Sequence, residues 1–261
     1  MRLLYNRLDW IIPIYIDEYV SLTGQQEDFF NPLIDRVLGW HRAEELPRYI
    51  QLLQTLKSAQ KQPMSRDQVL DFFSAAEGLW GDLLQRALPA LGELTLTLQE
   101  GQIQEIDDGL QKKIRKMQRK YGQKNQTQRR AMMADKVTDA MQDLLGEVTE
   151  QQEELITAWS GTKNDTTEDW LAFRDIWRRA FIELLQHRQG VDYPDQLRLF
   201  LLQPEKLYGA AHEQAIRENR RLLAQLIAAL SATLAPDQRD HLQQKLSEII
   251  ADLYSLHNQA K

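Results

Sequence analysis

The chain has 261 residues, enough for one large domain or two modest ones with a sizeable core. Its 32 Lys and Arg against 38 Asp and Glu leave a net charge of −6, which argues against a globally basic nucleic-acid binder. Cysteine is absent, so disulfides, thiolate zinc sites and a cysteine nucleophile are all excluded.

Glycine (12) and proline (8) are scarce while glutamine occurs 29 times, a balance that favours helix over sheet. Apolar periodicity places helices at approximately 2–20, 24–45, 47–60, 66–87, 100–145, 150–160, 167–188, 206–231 and 236–258. Phe30, Leu33, Val37 and Trp40 mark one face of the second. Trp170, Phe173, Trp177, Phe181 and Leu184 repeat that pattern, as do Leu222, Leu226 and Leu230, and then Leu242, Leu246, Ile249, Leu253 and Leu256. Pro13 and Pro32 are expected to kink or split the first two helices, and Leu88-Pro89 to end the fourth. The 100–145 segment reads as one long basic helix or as two, interrupted at Gly122 and Asn125. The one candidate strand, Leu94–Leu98, is short and flanked by helical signals. The expectation is an all-α bundle of roughly nine helices built from irregular hairpins, a single domain over 1–261 with possible lobes 1–121 and 147–261.

A tetrad recurs at the predicted helix starts. Leu22-Thr23-Gly24-Gln25-Gln26, Met64-Ser65-Arg66-Asp67-Gln68 and Val148-Thr149-Glu150-Gln151-Gln152 each place Gln three residues after Ser or Thr. That spacing forms a capping box: the hydroxyl accepts from the N3 backbone N–H, and the N3 amide reaches back to the N-cap N–H. Thr23/Gln26, Ser65/Gln68 and Thr149/Gln152 are the pairs concerned. Leu98…Gln102 and Leu234…Gln238 are weaker copies, the latter with Pro236 at the first helical position. Pro194-Asp195-Gln196 echoes Pro236-Asp237-Gln238. The starts at 22, 64, 98, 148 and 234 are too irregular for a TPR or HEAT array.

Residues 111–130 hold nine of the 32 basic side chains and no acid: Lys112, Lys113, Arg115, Lys116, Arg119, Lys120, Lys124, Arg129 and Arg130. They read either as a surface for polyanions such as anionic lipid or as a solvated face paired with the chain's own acidic helices. Tyr121 is the single aromatic ring nearby, so stacking on nucleic-acid bases has little support. A second cluster, Trp40-His41-Arg42-Ala43-Glu44-Glu45-Leu46-Pro47-Arg48-Tyr49, reads as a packed helix-to-helix corner or as a partner-binding spot centred on Trp40, His41, Arg42 and Tyr49. Pro47 is expected to open the next helix, with His41 or Arg42 pairing with Glu45 across the turn.

Catalytic signatures are missing. His212-Glu213-Gln214-Ala215-Ile216 lacks the second histidine of a zinc clamp, and no Glu is followed three residues later by His. Neither a nucleophile elbow, a P-loop nor a dinucleotide fingerprint occurs. A non-enzymatic protein without metal or cofactor is expected. No stretch approaches the roughly 20 apolar residues of a membrane span, and no basic and then apolar leader opens the chain.

Tyr5-Asn6, Leu8-Asp9-Trp10, the Leu22-Thr23…Gln26 cap, Trp40-His41-Arg42 and Glu45-Leu46-Pro47-Arg48-Tyr49 together resemble an uncharacterised family of Gram-negative envelope lipoproteins. The tetrads also look like the LTxxQ motif of Spy- and CpxP-type periplasmic chaperones, although only the first has the Leu-Thr pair. The resemblance implies a periplasm-facing, lipid-anchored helical protein that binds or chaperones envelope proteins. It supplies no catalytic residues. With no cysteine in the chain, either the anchor sits on a leader that Met1 replaces or the protein is cytoplasmic. The alternative is an adaptor binding anionic lipid or other polyanions through Lys112–Arg130.

Overall fold

The computed structural model describes residues 8–259, with side chains from residue 11 onward. Residues 2–7 of the first predicted helix and the Tyr5-Asn6 pair lie outside the described residues, as do the side chains of Leu8, Asp9 and Trp10. The helices are α1 (Leu8–Asp17), α2 (Gly24–Trp40), α3 (Leu46–Ala59), α4 (Arg66–Leu96), α5 (Glu100–Met117), α6 (Gln126–Leu145), α7 (Glu150–Thr162), α8 (Thr167–Gln186), α9 (Tyr193–Leu202), α10 (Ala210–Ala232) and α11 (Pro236–Asn258). Two π-helical turns, His41–Glu45 and Gln118–Gly122, and a 3₁₀ turn at Pro204–Leu207 complete an all-α bundle. No strand occurs among the described residues.

Two expectations are corrected. The fourth helix does not end at Leu88-Pro89 but runs on to Leu96, absorbing most of the candidate strand. Pro32 and Pro89 both sit inside continuous helices. A proline removes the N–H that would bond the carbonyl four residues earlier. Here those carbonyls belong to Asp28 and Gln85, both exposed residues, where solvent is able to take the donor's place while the buried stripe continues. Of the two readings of the 100–145 segment, the structure has the interrupted one, with two helices parted at residues 118–125. After the π turn, Asn125 caps α6: its Oδ1 accepts from Gln128 N–H at 2.9 Å and its own N–H donates to Gln128 Oε1 at 3.0 Å. Finally, α9 occupies a stretch read as a connection, and Pro194-Asp195-Gln196 opens a helix as its echo does.

Packing follows the apolar stripes. Leu46 and Ile50 of α3 meet Ile250, Leu253 and Leu256 of α11. Leu185 of α8 enters a cluster with Val20, Leu98, Ile103 and Ile106 beside α5. Val69 of α4 meets Ala224 of α10. Each fully buried aliphatic side chain contributes about 1.5–3 kcal/mol relative to exposure. The aromatic stripe of α8 faces elsewhere: Trp177 and Phe181 stack at 5.1 Å, and Phe200 of α9 closes over both. α8 therefore carries two apolar faces, one for α5 and one for α9.

The glutamines of the helix starts meet in pairs. Gln26 and Gln102 are buried and exchange amide hydrogen bonds of 3.0 and 2.7 Å. Gln152 and Gln238, at 0% and 1% exposure, do the same at 3.0 and 2.9 Å. Each carbonyl also accepts from its own N-cap N–H, at Thr23, Gln99, Thr149 and Ala235. The remaining donors match too. Gln26 donates to the Thr97 hydroxyl as Gln152 does to that of Thr233, both at 3.2 Å. Gln102 donates to the Ser21 carbonyl as Gln238 does to that of Glu147. In these bonds α1, α2, α4 and α5 correspond to α6, α7, α10 and α11. The intervening helices are exchanged: α3 packs on α11, α8 packs on α5, and α4 lies against α10. Ser65/Gln68 and Asn125/Gln128 cap helices without such a partner, at exposed positions.

Gly146, which ends α6, has φ +83°, and a Cβ there would lie 3.1 Å from the His241 ring. Gly146→Ala is expected to cost about 1–2 kcal/mol from the left-handed backbone alone, measured by urea unfolding. A neutral result would show that this turn relaxes freely.

Candidate functional site

α2 and α4 run antiparallel, tied at one end by Gln26 Nε2 donating to the Thr97 carbonyl at 2.9 Å. Toward the other end they part to form an open groove of about 540 Å³. Leu33, Val37, Pro89 and Ala90 make its apolar surface, with Arg36, Asp82, Arg86 and Glu93 around it. Trp40 stands at the rim, its indole N–H donating to Glu44 at 2.9 Å and the Arg86 guanidinium 5.4 Å above its ring. Gln85 lines the same groove, and its carbonyl is the one that Pro89 deprives of a helical donor. An apolar floor, alternating charges and an open backbone acceptor suit a peptide-like ligand.

The corner cluster divides at the π turn. Of its four candidate residues, Trp40 lines the groove while His41 and Tyr49 face each other, with Nε2 and hydroxyl 3.2 Å apart. Burial holds His41 below the ordinary histidine value, against the pull of Glu45 and with some help from Arg42. Burial also raises Tyr49. The Arg42 carbonyl lies 2.8 Å from His257 Nδ1, so that nitrogen carries the proton. Glu45, buried at 2% exposure, pairs with Arg48 at 2.6 Å, and Arg48 bridges on to Asp82 at 2.7 Å. Pro47 lies in the first turn of α3, as its position suggested.

The basic segment is not one surface. Lys112, Arg115 and Lys116, spaced i, i+3 and i+4, share an exposed face of α5 opposite buried Ile114, and Arg119, also exposed, follows in the π turn. Lys113 turns toward α1, pairing with Glu18 at 2.8 Å and lying over the Tyr15 and Tyr19 rings. Lys120 lies 5.3 Å from the Tyr121 ring. Past the break, Arg129 pairs with Asp165 at 2.6 Å and bonds the Lys124 carbonyl, while Arg130 lines a separate small cavity.

Among the described residues no group of three or more His, Asp or Glu side chains could hold a metal ion, and no helix is long and apolar enough to cross a membrane. Fold and site define an all-helical protein with a mixed-charge surface groove. The chain belongs to a family of unknown function, DUF6279, which matches residues 18–213. No curated protein and no solved structure matches it.

Sequence reasoning singled out Trp40 but missed its groove partners Arg36, Asp82 and Arg86. Their only local signal was an ordinary amphipathic pattern. Tyr15, Phe29 and Trp80 are exposed large side chains, yet Trp80 lies on the face of α4 away from the groove. Trp159 is buried against Ile156 and Leu230.

Proposed function

We propose that this is a non-enzymatic envelope protein, periplasm-facing and lipid-anchored in its native form, that binds or chaperones other envelope proteins through the α2–α4 groove. The observation that supports this reading is the groove itself: an apolar floor rimmed by Trp40, Arg86 and Asp82. The envelope location rests on the sequence resemblance. The protein is to be expressed from its complete gene with a photo-crosslinker at Gln85, followed by envelope fractionation. Discrete adducts with envelope proteins are expected, falling at least tenfold in Trp40→Ala while a crosslinker at exposed Gln244 gives none. Recovery in the cytosol, or adducts indifferent to Trp40, would overturn the proposal.

A second reading is polyanion binding by the exposed face Lys112, Arg115, Lys116 and Arg119. Its support is that Lys112, Lys116 and Arg119 have no ion-pair partner within 4 Å among the described residues. Such binding falls steeply with salt.

A further inference from the structure

A cavity of about 60 Å³ lies where α6, the α7–α8 loop and the π turn meet. Tyr121, Arg129, Arg130, Lys136, Lys163, Asp165 and Thr167 line it, together with Met132 and Met133. Four cations face a single carboxylate. Asp165 is already engaged: it pairs with Arg129 and its Oδ1 accepts from the Thr167 N–H at 3.1 Å. Burial opposes its ionisation, but the bonds from Thr167 and Arg129 outweigh that and hold it below the ordinary carboxylate value.

The other three cations are left over. Arg130 Nε is shielded from solvent and has no hydrogen-bond partner among the described residues. Lys163 donates to the Asn164 carbonyl at 3.3 Å and has no carboxylate within ion-pair distance among the described residues. Burial, opposed by Asp165 and reinforced by Arg130, holds its ammonium group below the ordinary lysine value. Lys136 donates to the Tyr121 hydroxyl at 3.3 Å, which leaves that hydroxyl's own proton free to donate. Uncompensated cations held this close repel one another, and an anion among them removes the repulsion.

We propose that this cavity binds a single phosphate-type oxyanion, gripped by Arg130, Lys163 and Lys136 with Tyr121 as a further donor. The guanidinium fork matches a tetrahedral oxyanion, and three unpaired cations suit a dianion better than a singly charged carboxylate. The volume admits one small group and not an extended chain. This site is separate from both the groove and the α5 basic face, and six of its lining residues (Met132, Met133, Lys136, Lys163, Asp165 and Thr167) lie outside the 111–130 segment.

The test titrates the whole chain with inorganic phosphate at matched ionic strength, followed by calorimetry. Separate arms use vesicles of phosphatidic acid, whose headgroup is a phosphate monoester, and of phosphatidylcholine. Saturable phosphate binding is expected, weakened at least tenfold by Arg130→Gln and by Lys163→Gln and unchanged by Lys112→Gln. Preference for phosphatidic acid vesicles with the same dependence on Arg130 would support the site and assign the phosphate to a lipid headgroup. Lys163→Gln leaves Arg130 in place, so one folded variant, checked by circular dichroism, suffices. The proposal fails if no probe binds, or if folded variants bind as the parent does.

Discussion

Gln152→Ala is expected to destabilise the protein by about 3 kcal/mol, far more than an ordinary capping substitution. Its amide is fully buried and all four hydrogen-bonding positions are used: Thr149 N–H and Gln238 Nε2 on the oxygen, Gln238 Oε1 and the Thr233 hydroxyl on the nitrogen. Truncation orphans a donor and an acceptor of Gln238, which is itself 1% exposed and cannot turn to water. Gln68→Ala is the control. It removes the same kind of cap from an exposed helix start and should cost about 1 kcal/mol or less. Urea unfolding of both, with the Gln152/Gln238 double variant to extract the coupling, decides the matter. Equal costs at positions 152 and 68 would mean that the paired amides add nothing beyond capping.

The second large effect is expected at Leu185. This side chain is 0% exposed and joins α8 to Val20, Leu98, Ile103 and Ile106. Leu185→Ala should cost about 3–5 kcal/mol through lost transfer energy and the cavity left behind. Arg188 bears on the same junction: its Nη2 donates to the Leu98 carbonyl at 2.8 Å and its Nη1 pairs with Glu100 at 2.9 Å. Loosening Leu185 should therefore lower amide protection in α5 and α8 together, as read by hydrogen exchange. Ile176→Ala, on an exposed face of α8, should stay within about 0.5 kcal/mol. A cost below about 1 kcal/mol at Leu185 would refute the α5–α8 packing.

Helix class and most helix starts were legible because their causes are local. A capping box needs a hydroxyl and an amide three residues apart, and Thr23/Gln26, Ser65/Gln68 and Thr149/Gln152 carry that information themselves. The stripe of α11 was legible for the same reason, with Leu242, Leu246, Leu253 and Leu256 all buried. Prolines misled where the rule for a lone helix was applied without its surroundings. Pro89 lies within a continuous α4, and the carbonyl it deprives of a donor belongs to Gln85, an exposed residue lining the groove. The helix Tyr193–Leu202 went unread because its flanks, Gly190 and Pro204, dominated a ten-residue stretch that Tyr193 and Leu197 secure by packing on Leu88.

The candidate surfaces divide along the same line. Trp40 stood out by residue type, and the basic run by density, but neither announced its neighbours. Arg86 comes over Trp40, and Lys163 beside Arg130, only because separate helices converge.

The amino-acid sequence by itself determined an all-helical chain, the positions of its capped starts and the apolar face of most helices. These depend on bonds and contacts that reach no further than about four residues. Tertiary structure alone decided that Gln26 meets Gln102 and Gln152 meets Gln238, 76 and 86 positions apart. It also decided that α3 and α8 exchange partners and that three cations are stranded around one cavity. Such pairings have no local preference to reveal them. They exist because burying many stripes at once leaves few arrangements in which every buried amide finds a partner.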